Sequence, residues 1–179
     1  MQQEKLYHQA VALLKQLIAI PSFSKEEGNT ALAIGRFLEN EGVTCQRHLN
    51  NVWAHNKHFD PAKPSILLNS HHDTVKPNPG YTRDPFLATD ENGRLYGLGS
   101  NDAGGPLVSL IAAFLHFYER TGLAYNIVLA ATAEEEISGA NGIESLLALL
   151  PAIEFAIVGE PTLTNLAIAE KGLLVLDCQ

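Results

Sequence analysis

Three times this chain runs through a short apolar stretch and ends it abruptly in residue types that bind metal ions. Ile66-Leu67-Leu68 leads into Ser70-His71-His72-Asp73, Ile127-Val128-Leu129-Ala130 into Glu134-Glu135-Glu136, and Phe155-Ala156-Ile157-Val158 into Gly159-Glu160-Pro161. Apolar runs this short, bounded by polar and turn residues, read as buried strands. Apolar segments long enough for helices lie at Leu107–Tyr118 and Ile143–Leu150. Strands alternating with helices imply an α/β sheet, at least partly parallel. Ligands of such sheets sit beyond the carboxyl ends of the strands, which is where all three polar clusters fall. A fourth acid, Asp102, follows Tyr96-Gly97-Leu98-Gly99 and precedes a helix start at Gly104-Gly105.

Upstream, Leu6, Val11, Leu13, Leu14, Leu17 and Ile18 recur at helical spacing, and Pro21 closes that helix. Ser24 and Glu27 have the S-x-x-E spacing of a capping box, which predicts a second helix with Leu32, Ile34, Phe37 and Leu38 as its apolar stripe and Gly42 as its stop. Short strands are expected around Val43–Arg47 and Val52–His55, a loop at Pro61–Pro64, and a hairpin turn at Glu91–Arg94.

Composition narrows the function classes. Twenty acidic residues against twelve basic ones leave a net charge of −8, which repels nucleic acid and anionic membranes alike. No apolar run approaches the length of a bilayer span, and the polar start MQQEKLYHQ is not a secretory signal. Cys45 and Cys178 make no disulfide framework, so a reducing, cytoplasmic setting is expected.

Single motifs here have ordinary readings. An isolated H-x-D is commonly a turn, consecutive glutamates a solvated helix start, and G-E-P a turn. Gly97-x-Gly99 lacks the third glycine of a nucleotide loop, and His55-x-x-His58 lies in a polar loop. Together the clusters say more. His71, Asp102, Glu136 and Glu160 offer one imidazole and three carboxylates, a donor set suited to zinc. A pair of metals needs a bridging carboxylate, which Asp102 on its glycine-flanked loop can supply. Asp73, two residues past His71, is placed to accept from that imidazole and fix its tautomer. Glu135 adjoins a ligand acid at a different side-chain angle and is the candidate general base.

The ordered set of these motifs resembles the acetylornithine deacetylase and succinyl-diaminopimelate desuccinylase type of the M20 metallopeptidase family. Ser70-His71-His72-Asp73-Thr74 is similar to its H-x-D signature. Gly97 through Gly105 is similar to G-x-G-x-x-D-x-x-G, Thr132–Glu136 to T-x-D/E-E-E, and Val158–Thr162 to V-G-E-P-T/S. Ile20-Pro21-Ser22 and Asp84-Pro85-Phe86 also resemble family landmarks. Departures are His72 in the variable middle of H-x-D, Ser70 where glycine is usual, and Ala103-Gly104 in place of Met-Lys.

The resemblance implies a three-layer α-β-α domain with a largely parallel mixed sheet. It implies two zinc ions, with cobalt or manganese as substitutes: His71, Asp102 and Glu160 on one and Asp102 and Glu136 on the other. Glu135 is then the base and Asp73 the partner of His71. The implied reaction is hydrolysis of an N-acyl amide on an amino acid or small peptide, as in acetylornithine deacetylases. Desuccinylase and di- or aminopeptidase activities, or a non-catalytic split form, are the alternatives. Residues 1–165 are expected to form the N-terminal part of the catalytic domain, and 166–179 the start of a lid or dimerisation domain. On that reading the chain is a fragment. The second-metal histidine and the oxyanion histidine are expected in segments beyond it, and the full-length protein as a homodimer.

Overall fold

The computed structural model describes residues 2–169. The expected first lid strand, Gly172–Gln179, lies outside them. Helices α1 (Gln2–Ile18) and α2 (Gly28–Asn40) open the chain, followed by strands β1 (Gln46–His48), β2 (Asn51–His55) and β3 (Ser65–His71). A hairpin of β4 (Thr89–Glu91) and β5 (Arg94–Tyr96) precedes α3 (Gly105–Phe117), β6 (Asn126–Thr132), α4 (Ile143–Leu147) and β7 (Ile153–Val158). The expected hairpin is present. Its turn residues Asn92 and Gly93 both take positive φ, 54° and 73°, as a two-residue turn between twisted strands requires.

The main sheet runs β1-β2-β6-β3-β7. The β6–β3 and β3–β7 ladders are parallel, while β1–β2 and β2–β6 are antiparallel, so the sheet is mixed as expected. Both faces are covered, by side chains that alternate with the pleat. Val52, Ala54, Leu68, Leu129 and Ala131 face α1, α2 and α3, where Leu14, Ile34, Leu107, Ile111 and Phe114 complete the larger core. Trp53, Leu67, Val128 and Ala130 face the other way, onto Leu146 of α4. Central strands β3 and β6 are buried along nearly their whole length. Among the described residues strand β7 is an edge, and Phe155, Ile157 and Val158 on it are about half exposed. No helix among the described residues is long and apolar enough to cross a membrane.

Three local expectations need correction. Leu32 is 46% exposed; α2 instead buries the i, i+4, i+8 row Thr30, Ile34 and Leu38, with Ala31 and Ala33 beside it. Helix α4 ends at Leu147, short of Leu150. The capping box at Ser24 and Glu27 does not form. Glu27 occupies the N-cap position with no side-chain cap bond, and Ser24 Oγ donates to Asp73 at 2.7 Å. Both side chains are drawn away from the helix end by stronger acceptors and donors in the site below.

Candidate metal centre

The parallel strands deliver the acidic groups. His71 ends β3, the Glu134–Glu136 run follows β6, and Glu160 lies two residues past β7, all at the carboxyl edge of the sheet. Asp102 comes from the Ser100–Gly104 turn that leads into α3. Glycine is needed to bring that turn in. Gly99 has φ 71°, and a Cβ there would lie 2.6 Å from Thr74 Cγ2; a Cβ on Gly104 would lie 2.5 Å from the Gly99 carbonyl oxygen.

His71 is the hub, 1% exposed. Its Nδ1 faces the main-chain oxygen of Asp73 at 3.0 Å and the Asp73 carboxylate at 3.3 Å. Both are acceptors, so Nδ1 carries the proton and Nε2 is directed at the acids. From Nε2, Asp102 lies at 3.1 Å, Glu135 at 3.7 Å and Glu160 at 3.9 Å. One donor atom each from His71, Asp102 and Glu136 lies within 4.8 Å of the others. All six residues singled out in the sequence are thus brought to one place, with Glu160 standing slightly off the tightest trio.

Asp73 does more than orient the imidazole. Its fully buried carboxylate accepts the backbone N–H of Glu135 at 3.1 Å and of Glu136 at 3.2 Å, besides the Ser24 hydroxyl. Burial opposes its ionisation, but His71, Ser24 and the Glu135 N–H together hold its pKa below the usual aspartate value.

His72 points the other way, as alternation along the strand demands. It is buried and its pKa is lowered, first by desolvation. Nε2 donates to the Asn50 carbonyl at 2.9 Å and Nδ1 accepts from the Thr30 hydroxyl at 2.9 Å. One nitrogen ties the end of β3 to the β1–β2 turn and the other ties it to α2. Ser70 is also put to use: its hydroxyl donates to the Gly159 carbonyl at 2.7 Å and fixes the turn that carries Glu160.

The crowding has an electrostatic signature. Burial works against a proton on His71, but Asp73, Glu160 and Glu135 outweigh it and lift the pKa to about 9. Glu160 is pushed up to about 7 by burial and by Glu135, Asp102 and Glu136, against the pull of His71. Glu136 is raised by burial and by Asp102. Carboxylates held this close repel one another, and a divalent cation among them relieves the repulsion. The donor set therefore fits a metal.

The sequence profile of peptidase family M20/M25/M40 matches residues 67–171. That stretch is more than half of the chain and contains every residue of the acidic cluster. The chain belongs to the M20/M25/M40 peptidase family. It is 34% identical to the acetylornithine deacetylase of Proteus mirabilis, over 92% of this chain and 45% of that protein. It is 32% identical to the succinyl-diaminopimelate desuccinylase of Bordetella petrii, over 85% of this chain and 42% of that one. Among solved structures, the M20 family metallo-carboxypeptidase Sso-CP2 from Sulfolobus solfataricus superposes with a TM-score of 0.70 at 26% identity, covering 84% of this chain and 37% of its own. The chain spans less than half the length of the curated relatives it matches.

Sequence reasoning missed the supports of the Glu134–Glu136 segment. Ala133 N–H donates to Asn51 Oδ1 at 2.9 Å and Glu134 N–H to Glu27 Oε1 at 3.1 Å, so with Asp73 four successive amides are held by side-chain oxygens. The S-x-x-E spacing exposed Glu27, but a local pattern carries no trace of a partner 107 residues away.

Proposed function

We propose that this chain is the N-terminal part of the catalytic domain of a two-zinc amidohydrolase that deacylates an N-acyl amino acid, as acetylornithine deacetylases do. The observation that carries the reading is the convergence of His71, Asp102, Glu135, Glu136 and Glu160 at the carboxyl edge of one sheet. His71, Asp102 and Glu160 would hold one metal, and Asp102 with Glu136 the other. Bound there, zinc supplies Lewis acidity toward water and an amide carbonyl, with cobalt or manganese as substitutes.

The rest falls to the chain. Glu135 is half exposed, on a turn whose amide is pinned by Asp73, so its carboxylate can reach a water in the cleft. It takes the proton of the attacking water as the new C–O bond forms. It returns that proton to the amide nitrogen as the C–N bond breaks, and with the water's second proton also passing to the amine the products are a carboxylate and an ammonium group. Asp73 holds both the imidazole and the base-bearing turn, so the donor atoms and the base keep one register.

The Bordetella petrii relative supports a second reading, a succinylated rather than an acetylated substrate. The two are separated by measuring kcat/KM of the zinc-loaded full-length protein on N-acetylornithine, N-succinyl-diaminopimelate and a simple dipeptide. A preference of at least ~10-fold for N-acetylornithine is expected. Preference for the succinylated substrate selects the second reading, and no hydrolysis of any amide overturns both.

A further inference from the structure

We propose that Glu27 is a positioning residue for the base: together with Asp73 it holds the Glu134–Glu136 segment in its working conformation. The proposal rests on the assignment of Glu135 made above. Glu27 is fully buried, at the junction between the Pro21–Glu26 segment and α2. Its Oε1 accepts from the amides of Lys25 at 2.7 Å and Glu134 at 3.1 Å, and its Oε2 accepts from Asn50 Nδ2 at 2.8 Å. Asn50 in turn accepts from the Arg47 guanidinium at 3.1 Å. A buried carboxylate with three N–H donors is a well-satisfied group.

What it secures is a backbone conformation that an L residue disfavours. Glu134 has φ 55°. It is held there at three points: N–H to Glu27, C=O from Gly139 N–H at 2.8 Å, and carboxylate from Asn141 Nδ2 at 2.9 Å. That left-handed step turns the chain out of β6, and the next two residues are Glu135 and Glu136. Asp73 fixes the amides of those two but has no hydrogen bond to Glu134 N–H. Glu27 supplies that acceptor. Without it a buried amide is orphaned at the pivot, and the turn relaxes toward an ordinary φ that re-aims both glutamates.

The first test needs no turnover. Hydrogen exchange of this chain, followed by mass spectrometry, is compared for wild type, Glu27→Ala, Glu27→Asp and Glu27→Gln. Alanine removes the acceptor, aspartate is one methylene too short to reach Glu134, and glutamine keeps an oxygen where Oε1 sits but loses the bond from Asn50 Nδ2. Exchange in the peptide covering 133–138 is expected to speed up in Glu27→Ala and Glu27→Asp, to speed up less in Glu27→Gln, and to stay unchanged in the β3 peptide covering 65–71. If Glu27→Ala does not fold, the aspartate and glutamine variants carry the comparison. Unchanged exchange at 133–138, or equal acceleration in both peptides, overturns the proposal.

The second test uses the full-length protein. Glu27→Asp is expected to lower kcat by roughly 10–100-fold with KM nearly unchanged, the usual range for groups that orient site residues, and Glu27→Gln to lower it less. An aspartate variant with wild-type kcat overturns the positioning role while leaving Glu135 as base. Full activity in Glu135→Gln instead removes the base assignment and leaves the exchange experiment as the measure of Glu27.

Discussion

At the scale of single residues, the site is a set of neighbours with different tasks. Glu135 is half exposed and Glu136 sits in the tightest donor trio, though they are adjacent in the chain. In the full-length protein, Glu135→Gln is expected to lower kcat by at least ~100-fold through loss of the base while zinc content stays near wild type, measured by steady-state kinetics and metal analysis. Zinc lost together with activity would make Glu135 a ligand. The histidine pair divides in the same way. His71→Ala is expected to weaken zinc binding strongly. His72→Ala should keep most of it and lose about 1–3 kcal/mol of stability, because the Asn50 carbonyl and the Thr30 hydroxyl lose the buried imidazole that joins them. Zinc titration and urea unfolding of the two variants check this; the reverse ranking of zinc affinities would overturn the register.

At the scale of elements, close approach governs the glycine turn before α3. Gly104 lies against a carbonyl oxygen and Leu14 of α1, so an added methyl meets backbone that cannot rotate away. Gly104→Ala is expected to cost about 1–3 kcal/mol, as overpacking does, and to weaken zinc binding because Asp102 shifts with the turn. Unfolding midpoints and zinc titration read the two effects, and unchanged values would show that the turn absorbs the methyl. The Glu134 turn follows the same logic with polar bonds instead of contacts. The helix and strand periods were legible in sequence because each repeats over several residues, as Leu13, Leu14, Leu17 and Ile18 do. The role of Ser24 and Glu27 was not, because local spacing predicted a reciprocal cap and distant partners outcompeted it.

For the whole molecule, titration and metal binding are linked. His71, with a pKa of about 9 against an ordinary 6.5, keeps a proton in the folded chain that the unfolded chain has lost across that interval. Its stabilisation is complete below about 6.5 and is lost as pH rises through about 9. Glu160, raised from 4.5 to about 7, likewise holds a proton that the unfolded chain has released, so it too disfavours the folded state as pH rises through its own range. The metal-free chain should therefore unfold more easily at about pH 9 than at about pH 6, and zinc should reverse the loss while releasing roughly one proton per ion at about pH 8. Calorimetry in buffers of different ionisation enthalpy measures that proton; none released would show His71 already neutral. The same titrations should give one tight zinc for the chain Met1–Gln179. On the proposed assignment His71, Asp102 and Glu160 serve one ion, the trio of His71, Asp102 and Glu136 shares two of those donors with it, and both nitrogens of His72 are engaged. A second tight zinc would mean that another side chain completes the set.

The order of strands and helices, the mixed sheet and the family were all readable from residue order. Apolar period and motif order are local properties, and the strand ends they mark become neighbours in any parallel sheet. Spacing also favours His71 over His72, since the H-x-D register pairs Asp73 with the first of the two. What folding alone reveals is who holds the site in place. Asp73 reaching the amides of Glu135 and Glu136, Glu27 reaching Glu134, and Ser70 reaching Gly159 each join segments distant in the chain. A hydrogen bond depends on distance in space to a few tenths of an ångström, and residue order does not encode that distance until the sheet and its turns are packed.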